Sequence, residues 1–381
     1  VEVGVSQASA ISVDRDFQRV PAELSIVVPT FNERENVPLV VEALDAALGR
    51  VNWEVVFVDD DSTDGTLGAL AQAARGDTRV RYLHRIGRRG LSSAVTEGIQ
   101  STSAPIVAVM DADMQHDERL LPQMHEAFAD PSLDVAVGSR YVDGGGLGEW
   151  AEDRKTISRV ATELSRLVIR NHLTDPMSGF FMIRREAFES AHRNLSNQGY
   201  KILLDILASA KRALKAAEFA YTFRNRSHGE SKLDEAAVMD YIALLIDKSI
   251  GAYIPSRFVI FSMVGALGVV VHMSILAGLF ETGFASFLVA QAVATAIAMT
   301  FNFFINNTLT YRDKRLKGFG QIARGLLTFG LVSAVGAIAN VGVANFLFVQ
   351  NYAWYVSGIA GILVGAVWNY AASATFTWGK K

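Results

Sequence analysis

The chain has 381 residues, 50% hydrophobic, with 36 Lys and Arg against 39 Asp and Glu, for a formal net charge of −3. That net charge is uninformative by itself, and no basic stripe argues for nucleic acid as a partner. There is no cysteine, which excludes disulfides and thiol chemistry.

Residues 1–22 lack periodicity and read as a flexible tail. They contain no apolar core of the kind a signal peptide needs. Leu24 to Pro29 is predicted to be a short apolar strand, followed by the polar loop Thr30 to Asn36 and a helix over Val37 to Leu48. A second strand, Glu54 to Val58, ends in Asp59-Asp60-Asp61-Ser62-Thr63-Asp64-Gly65, and Leu67 to Ala74 is helical. Further strands are predicted at Val80 to Leu83, Ile106 to Met110 and Val135 to Val137, with helices at Ser92 to Gln100 and Arg119 to Phe128. Alternating strands and helices imply an α/β domain with a mainly parallel sheet covered on both faces. Ligands of such sheets bind at the carboxyl ends of the strands. Four polar clusters fall there: Thr30 to Glu33, Asp59 to Asp61, Asp111 to Gln115, and Ser139-Arg140. Neither a G-x-G-x-x-G nor a Walker-type loop accompanies them, so a dinucleotide fold and a P-loop are unsupported.

The strand ending at Met110 leads into Asp111-Ala112-Asp113-Met114-Gln115-His116. If the extended form persists, Asp111, Asp113 and Gln115 face the same way. Two carboxylates and an amide oxygen suit a hard divalent cation, Mg²⁺ or Mn²⁺, whose open positions substrate phosphates can fill. A solvated strand-end turn is the alternative for an isolated Asp-x-Asp. In the triple-aspartate segment, Asp64 is expected to cap the next helix. Asp60 is placed to accept base N–H groups or ribose hydroxyls. A carboxylate alone cannot separate uracil from guanine.

The blocks Val28 to Asn36, Val58-Asp59-Asp60-Asp61-Ser62 and Asp111 to His116, in that order, resemble the inverting nucleotide-sugar glycosyltransferases of GT-A fold. Gly138-Ser139-Arg140-Tyr141, Asp175 to Phe181 and Gly229-Glu230-Ser231-Lys232-Leu233 narrow the resemblance to the dolichyl- and polyprenyl-phosphate mannose synthases. The Gln-x-x-Arg-Trp signature of processive polysaccharide synthases is absent. The resemblance implies that Pro29, Phe31, Glu33, Val58 and Asp60 hold the nucleotide. It implies that Asp111, Asp113 and Gln115 hold the metal, with Ala112 close to the ribose-phosphate. Arg140, Lys201, Arg226 and Lys232 would contact phosphates or sugar, and Arg154 and Ser158, with Arg140, would receive the acceptor phosphate. His228 departs from the pattern, standing where a basic residue is expected, so its charge near neutral pH is open.

Physical chemistry supports these roles independently. A diphosphate leaving group needs its charge neutralised. A second anion, the lipid phosphate, must approach the first, which requires cations between them; Arg140, Arg154, Arg226 and Lys232 are the candidates. Arg88 and Arg89 read as solvated. Gly144-Gly145-Gly146 reads as a mobile loop over the site or a plain connection. The acceptor is already ionised, the second pKa of a phosphate monoester being ~6, so no strong general base is needed. Catalysis then rests on positioning and electrostatics, with Asp113 and Arg140 nearest the reacting centre.

The second half reads as membrane. Thr156 to Arg170 has an apolar face of Ile157, Val160, Ala161, Leu164, Leu167 and Val168, suited to packing on the sheet or lying in a membrane surface. Val238 to Ile254 is similar, so 236–256 is assigned as interface helices between a catalytic domain over 23–235 and a membrane domain over 257–381. Phe258 to Phe280, Phe284 to Ile305, Ile322 to Phe348 and Ala353 to Phe376 each reach the ~20 residues a span needs. Arg312, Lys314, Arg315 and Lys317 lie in the middle connection and Lys380 and Lys381 at the end, whereas the outer loops at Glu281-Thr282 and Gln350-Asn351 carry no Lys or Arg. The positive-inside rule then places the catalytic domain and both termini in the cytoplasm. Arg257, Asn302, Thr308, Thr310 and Tyr311 recur 67 residues later as Arg324, Asn369, Thr375, Thr377 and Trp378. The expected architecture is an all-α four-helix domain of two repeated hairpins. Asn302, Asn306, Asn307, Asn340, Asn345 and Asn369 are expected to hydrogen-bond between helices, or else to line a lipid path.

The leading expectation is an enzyme moving a sugar from a nucleotide-sugar to a polyprenyl or dolichyl phosphate. Mannose from GDP-mannose comes first and glucose from UDP-glucose second. The rival of a different class is a membrane lipid transporter with a regulatory nucleotide-binding domain.

Overall fold

The computed structural model describes residues 21–146, 152–197, 199–224, 235–251 and 253–379, with the side chains of 152–158, 235–237, 354 and 355 outside the description. Residues 1–20 of the predicted tail, and Arg226, His228 and Lys232, lie outside the described residues. The chain divides into two compact units.

The first unit is built on seven strands: β1 (Leu24–Thr30), β2 (Trp53–Asp59), β3 (Val80–His84), β4 (Ile106–Val109), β5 (Val135–Ser139), β6 (Phe181–Arg184) and β7 (Ala216–Ala220). Their order is β3-β2-β1-β4-β6-β5-β7. β6 runs antiparallel to β4 and β5, while β1, β2, β3 and β4 pair in parallel, as do β5 and β7. The helices are α1 (Asn36–Leu48), α2 (Thr66–Gly76), α3 (Leu91–Gln100), α4 (Leu121–Ala127), α5 (Glu152–Ser165), whose residues 163–165 count with the second unit, α6 (Arg185–His192) and α7 (Ile202–Ser209).

Strand periodicity sorts the core. Leu24, Ile26 and Val28 join Trp53, Val55 and Phe57 in a cluster with Val37, Val40, Leu44 and Leu48 of α1. Each such fully buried side chain contributes ~1.5–3 kcal/mol. Val27 and Val58 meet α3, which comes close because residue 98 is glycine; a Cβ there would overlap both valines. With both sheet faces covered, the strands read as apolar runs. That made β1 to β5 visible in sequence. β6, Phe-Met-Ile-Arg, was not predicted, nor was β7, whose Ala-Ala-Glu-Phe-Ala is weakly apolar. The helix expected from Arg119 starts later, at Leu121, after a 3₁₀ turn over Glu118–Leu120.

The helix expected over Thr156 to Arg170 ends at Ser165. Its expected apolar face is not a buried one: Val160, Leu164 and Leu167 are exposed, while Thr162 and Ser165 are buried.

The second unit contains α8 (Glu235–Ile250), α9 (Ser256–Glu281), α10 (Phe287–Ile305), α11 (Phe319–Val349) and α12 (Trp354–Ala372). Four helical stretches, Ser256–Glu281, Phe287–Thr310, Phe319–Val349 and Val356–Thr377, are long and apolar enough to cross a membrane. α9 packs on α10 and α11 on α12. The duplication is structural as well as sequential. α10 and α12 each run into a π-helical turn, Asn306–Thr310 and Ser373–Thr377, 67 residues apart. The next residues, Tyr311 and Trp378, stack on one another with centroids 4.2 Å apart and planes 7° from parallel. Gly268 of α9 receives the Asn302 side chain as Gly336 of α11 receives Asn369. Asn307 serves as interhelical glue: its Oδ1 accepts from Trp378 Nε1 at 3.0 Å and Leu316 N–H at 2.9 Å. Asn306 donates to the Asn302 carbonyl at 2.9 Å, whereas Asn345 is exposed. Arg257 pairs with Asp313 at 2.9 Å, and Arg312 pairs with Asp240 of α8.

Candidate active site

The polar loops after β1, β2, β4 and β5 carry the candidate residues. β1 and β2 end in register at Thr30 and Asp59, and the Asp60 N–H donates to the Thr30 carbonyl at 2.9 Å. Asp59 is buried and accepts from the Ser62 N–H at 3.1 Å and the Ser62 hydroxyl at 2.5 Å. Asp61 takes a left-handed φ of 61° and binds His84 Nε2 at 3.0 Å and the Gly87 N–H at 3.1 Å. The His84 contact holds its carboxyl below the ordinary carboxylate range. Asp64 braces the start of α2 as expected, accepting from the Thr66 N–H at 3.0 Å, although Gly65 occupies the cap position itself.

Asp60 is not an open acceptor waiting for a base. One oxygen pairs with Arg85 and the other accepts the Gly90 N–H at 2.6 Å. Arg85 is buried and also donates to Ser93 Oγ at 2.6 Å. It was not singled out in sequence, because a lone arginine after a strand carries no motif. Any nucleotide edge at Asp60 must use the remaining lone pairs of a carboxylate already fixed in place. Of the two solvated arginines expected nearby, Arg88 pairs with Glu97 at 2.9 Å, and Arg89 lies 4.1 Å over the ring of Phe31. Glu33 accepts from Asn36 Nδ2 at 2.7 Å. Pro29 is the penultimate residue of β1. Val58 is core: its side chain is fully buried, leaving only its main chain to meet a ligand.

The extended form expected beyond Met110 does not persist. β4 ends at Val109 and the chain turns, with Met114 at φ 62°. Asp111, Asp113 and Gln115 therefore lie on a turn, and strand alternation does not set which way they face. The Asp111 N–H donates to His116 Nδ1 at 3.1 Å, and the Gln115 N–H donates to Asp113 Oδ1 at 3.2 Å. Ala112 and Asp113 are buried, Asp111 half-buried. His116 stacks on Phe180 at 5.1 Å and meets Tyr221 and Phe223 edge-on. Burial holds its pKa down at about 4. It is thus a neutral ring that shapes the loop.

The donor set fits a hard cation. A Cβ on Gly179 would stand 3.3 Å from Asp111 Oδ2, so the glycine keeps the space beside that carboxylate clear. Gln115 Nε2 donates to the Arg224 carbonyl at 2.9 Å, which makes the amide oxygen the end able to ligate. Among the described residues no three His, Cys, Asp or Glu side chains cluster as a metal cage. Two carboxylates and an amide, if they hold an ion, leave positions that substrate phosphates can fill.

Arg140 follows β5. Its Nε and Nη2 grip Asp175 at 2.7 and 2.8 Å, and its N–H meets the same carboxylate at 3.2 Å. Burial opposes its charge, but the Asp175 bonds outweigh burial and hold the guanidinium more firmly protonated than usual. Asp175 is fully buried. Its loop is latched by Glu218 of β7, which accepts the Thr174 N–H at 2.9 Å and the Asp175 N–H at 3.1 Å. Lys201 is the N-cap residue of α7, and nearby Asn197 accepts from the Thr96 hydroxyl at 2.7 Å. Arg154 and Ser158 lie in α5, with side chains outside the described residues, and Arg226 and Lys232 lie outside them altogether.

The family model of glycosyl transferase family 2 matches residues 25–191, and the GtrA/DPMS transmembrane domain model matches 260–378. The chain is 34% identical over 358 residues to a dolichol-phosphate mannosyltransferase of Pyrococcus furiosus, covering 93% of this chain and 99% of that one. A dolichol-phosphate mannosyltransferase of Saccharomyces cerevisiae is 33% identical over 233 residues, covering 58% of this chain and 85% of the yeast protein. Among solved structures, the glucosyl-3-phosphoglycerate synthase of Mycobacterium tuberculosis, with Mn²⁺, UDP-glucose and phosphoglyceric acid, aligns at 20% identity and TM-score 0.45 over 60% of this chain and 79% of that one. The soluble half carries the mainly parallel sheet of a GT-A glycosyltransferase, and the other half carries four apolar helices of spanning length. With both halves accounted for by one arrangement, the chain belongs to the family of dolichol-phosphate mannosyltransferase-like glycosyltransferases, family 2 catalytic domains joined to a GtrA/DPMS membrane domain.

Proposed function

We propose that the protein transfers mannose from GDP-mannose to a polyprenyl or dolichyl phosphate, with inversion at the anomeric carbon and release of GDP. One observation carries this reading: Asp60, Asp111, Asp113 and Arg140 lie on the loops at one sheet edge, in a chain that covers 99% of a relative named dolichol-phosphate mannosyltransferase. Pro29, Phe31, Glu33, Asp60 and the main chain at Val58 receive the nucleotide, with Ala112 beside the ribose-phosphate. Asp111, Asp113 and Gln115 hold Mg²⁺ or Mn²⁺, which supplies charge neutralisation for the departing diphosphate. Arg140, Lys201, Arg226 and Lys232 meet phosphates and sugar. Arg154 and Ser158 dock the acceptor phosphate together with Arg140.

An acceptor phosphate oxygen attacks the anomeric carbon from the face opposite the diphosphate. The new C–O bond forms as the bond to the β-phosphate breaks, and its electron pair leaves on GDP. No proton has to be removed from the nucleophile, its second pKa being ~6. This agrees with the one histidine of the loop being a buried, neutral structural ring. The chain's part is positioning and a fixed electrostatic field. The exposed Val160, Leu164 and Leu167 suit the bilayer surface, where the acceptor headgroup lies. By the positive-inside rule, the catalytic domain and both termini are cytoplasmic.

The test is purified protein in micelles with Mn²⁺, polyprenyl phosphate and either labelled GDP-mannose or UDP-glucose. Mannose label in the lipid phase as the inverted anomer is the expected result. Label from UDP-glucose alone would move the donor assignment to glucose. Nucleotide binding without transfer would overturn the enzyme reading in favour of a regulated lipid transporter. Asp113→Asn should abolish metal-dependent transfer.

A further inference from the structure

Residue 224 brackets Gln115. The Arg224 N–H donates to the Gln115 carbonyl at 3.0 Å, and the Arg224 carbonyl accepts from Gln115 Nε2 at 2.9 Å. The guanidinium of the same residue reaches Glu118 Oε2 at 3.0 Å and Asp117 Oδ1 at 2.5 Å. Those carboxylates are largely buried, with side-chain exposures of 11% and 23%. One residue therefore grips the β4 loop by its main chain at position 115 and by its side chain at 117 and 118. The geometry matters most for Gln115. A carboxylate presents oxygen whichever way it rotates, but an amide turned by half a revolution presents nitrogen, which does not ligate a hard cation.

We propose that Arg224 is a positioning residue for the cation site, acting through Gln115. Its guanidinium pins the main chain at 224 to Asp117 and Glu118, and that main chain holds the Gln115 amide with its oxygen as the ligating end. The proposal rests on the reading that Asp111, Asp113 and Gln115 hold the divalent ion. Partners of this outer kind are worth about 10–100-fold in metal affinity.

The experiment measures Mn²⁺ affinity by electron paramagnetic resonance on the full chain in micelles with saturating GDP, alongside the melting temperature. Arg224→Met keeps the side-chain bulk and removes the fork; it should weaken Mn²⁺ binding about tenfold or more. In a Gln115→Ala background the same change should add nothing, because the route through Gln115 is already cut. Arg224→Met within about twofold of the parent affinity, with Asp113→Asn losing the ion, would overturn the proposal and leave Arg224 a fold strut. An additive loss in the double variant would also overturn it. Unchanged affinity in Asp113→Asn would instead sink the cation reading itself. If Arg224→Met does not fold, Asp117→Asn/Glu118→Gln breaks the same grip from the other side, and the same outcomes apply.

Discussion

Asp175→Asn tests the electrostatic core of the site. The parent carboxylate is fully buried and takes three bonds from Arg140, whose side chain is only 11% exposed. Asparagine keeps the shape and one acceptor oxygen, but it removes the charge and turns an NH₂ toward the guanidinium. Arg140 cannot shed its proton to escape. Breaking one side of a buried pair costs about 3–5 kcal/mol. For a unit of this size, 1 kcal/mol is worth about 2–4 °C, so the expected fall in melting temperature is roughly 6–20 °C. Differential scanning fluorimetry in micelles reads it directly. Arg140→Met/Asp175→Leu, which replaces the pair by apolar bulk, should recover much of the stability. It should not recover transfer, because the cation is gone. A melting temperature for Asp175→Asn within about 1 °C of the parent would refute the claim that these charges are desolvated and mutually dependent.

Burial holds His116 at about 4 against an ordinary 6.5, so the unfolded ring binds a proton over a range where the folded one does not. Stability from this group is full above about pH 6.5 and is lost as pH falls toward about 4, at ~1.4 kcal/mol per pH unit and ~3 kcal/mol in all. His116→Asn, which keeps an acceptor for the Asp111 N–H, should flatten that part of the denaturation profile; an unchanged slope would count against the buried neutral ring. Gly336→Val drives a side chain into Asn369 and should destabilise the second hairpin by about 1–3 kcal/mol, with Asn369→Ala restoring the melting temperature. The chain has no cysteine, so single introduced cysteines report topology cleanly. Residues 282 and 351 should label from outside sealed cells and residue 314 only after lysis; the reverse pattern would invert the proposed orientation.

The sequence by itself determined the parts whose physics is local. Apolar runs ending in polar clusters exposed β1 to β5 and the sheet edge that carries the candidate residues, because strands of a parallel sheet buried on both faces read as apolar runs. The four spans and their 67-residue repeat were legible because a bilayer imposes length and composition on each helix separately. The tertiary structure alone decided what depends on partners far along the chain. β6 and β7 were not legible as strands and are set by their pairing with β4 and β5. Asp60 read as an open acceptor until folding placed Arg85 and the Gly90 N–H against it. Arg140 read as one of four cations for the phosphates; its carboxylate partner Asp175, 35 positions on, was not foreseen. The grip of Arg224 on Gln115 spans 109 positions and leaves no mark in either segment. A charged side chain takes its role from the counter-charge and the solvent around it, and only the folded chain brings those together.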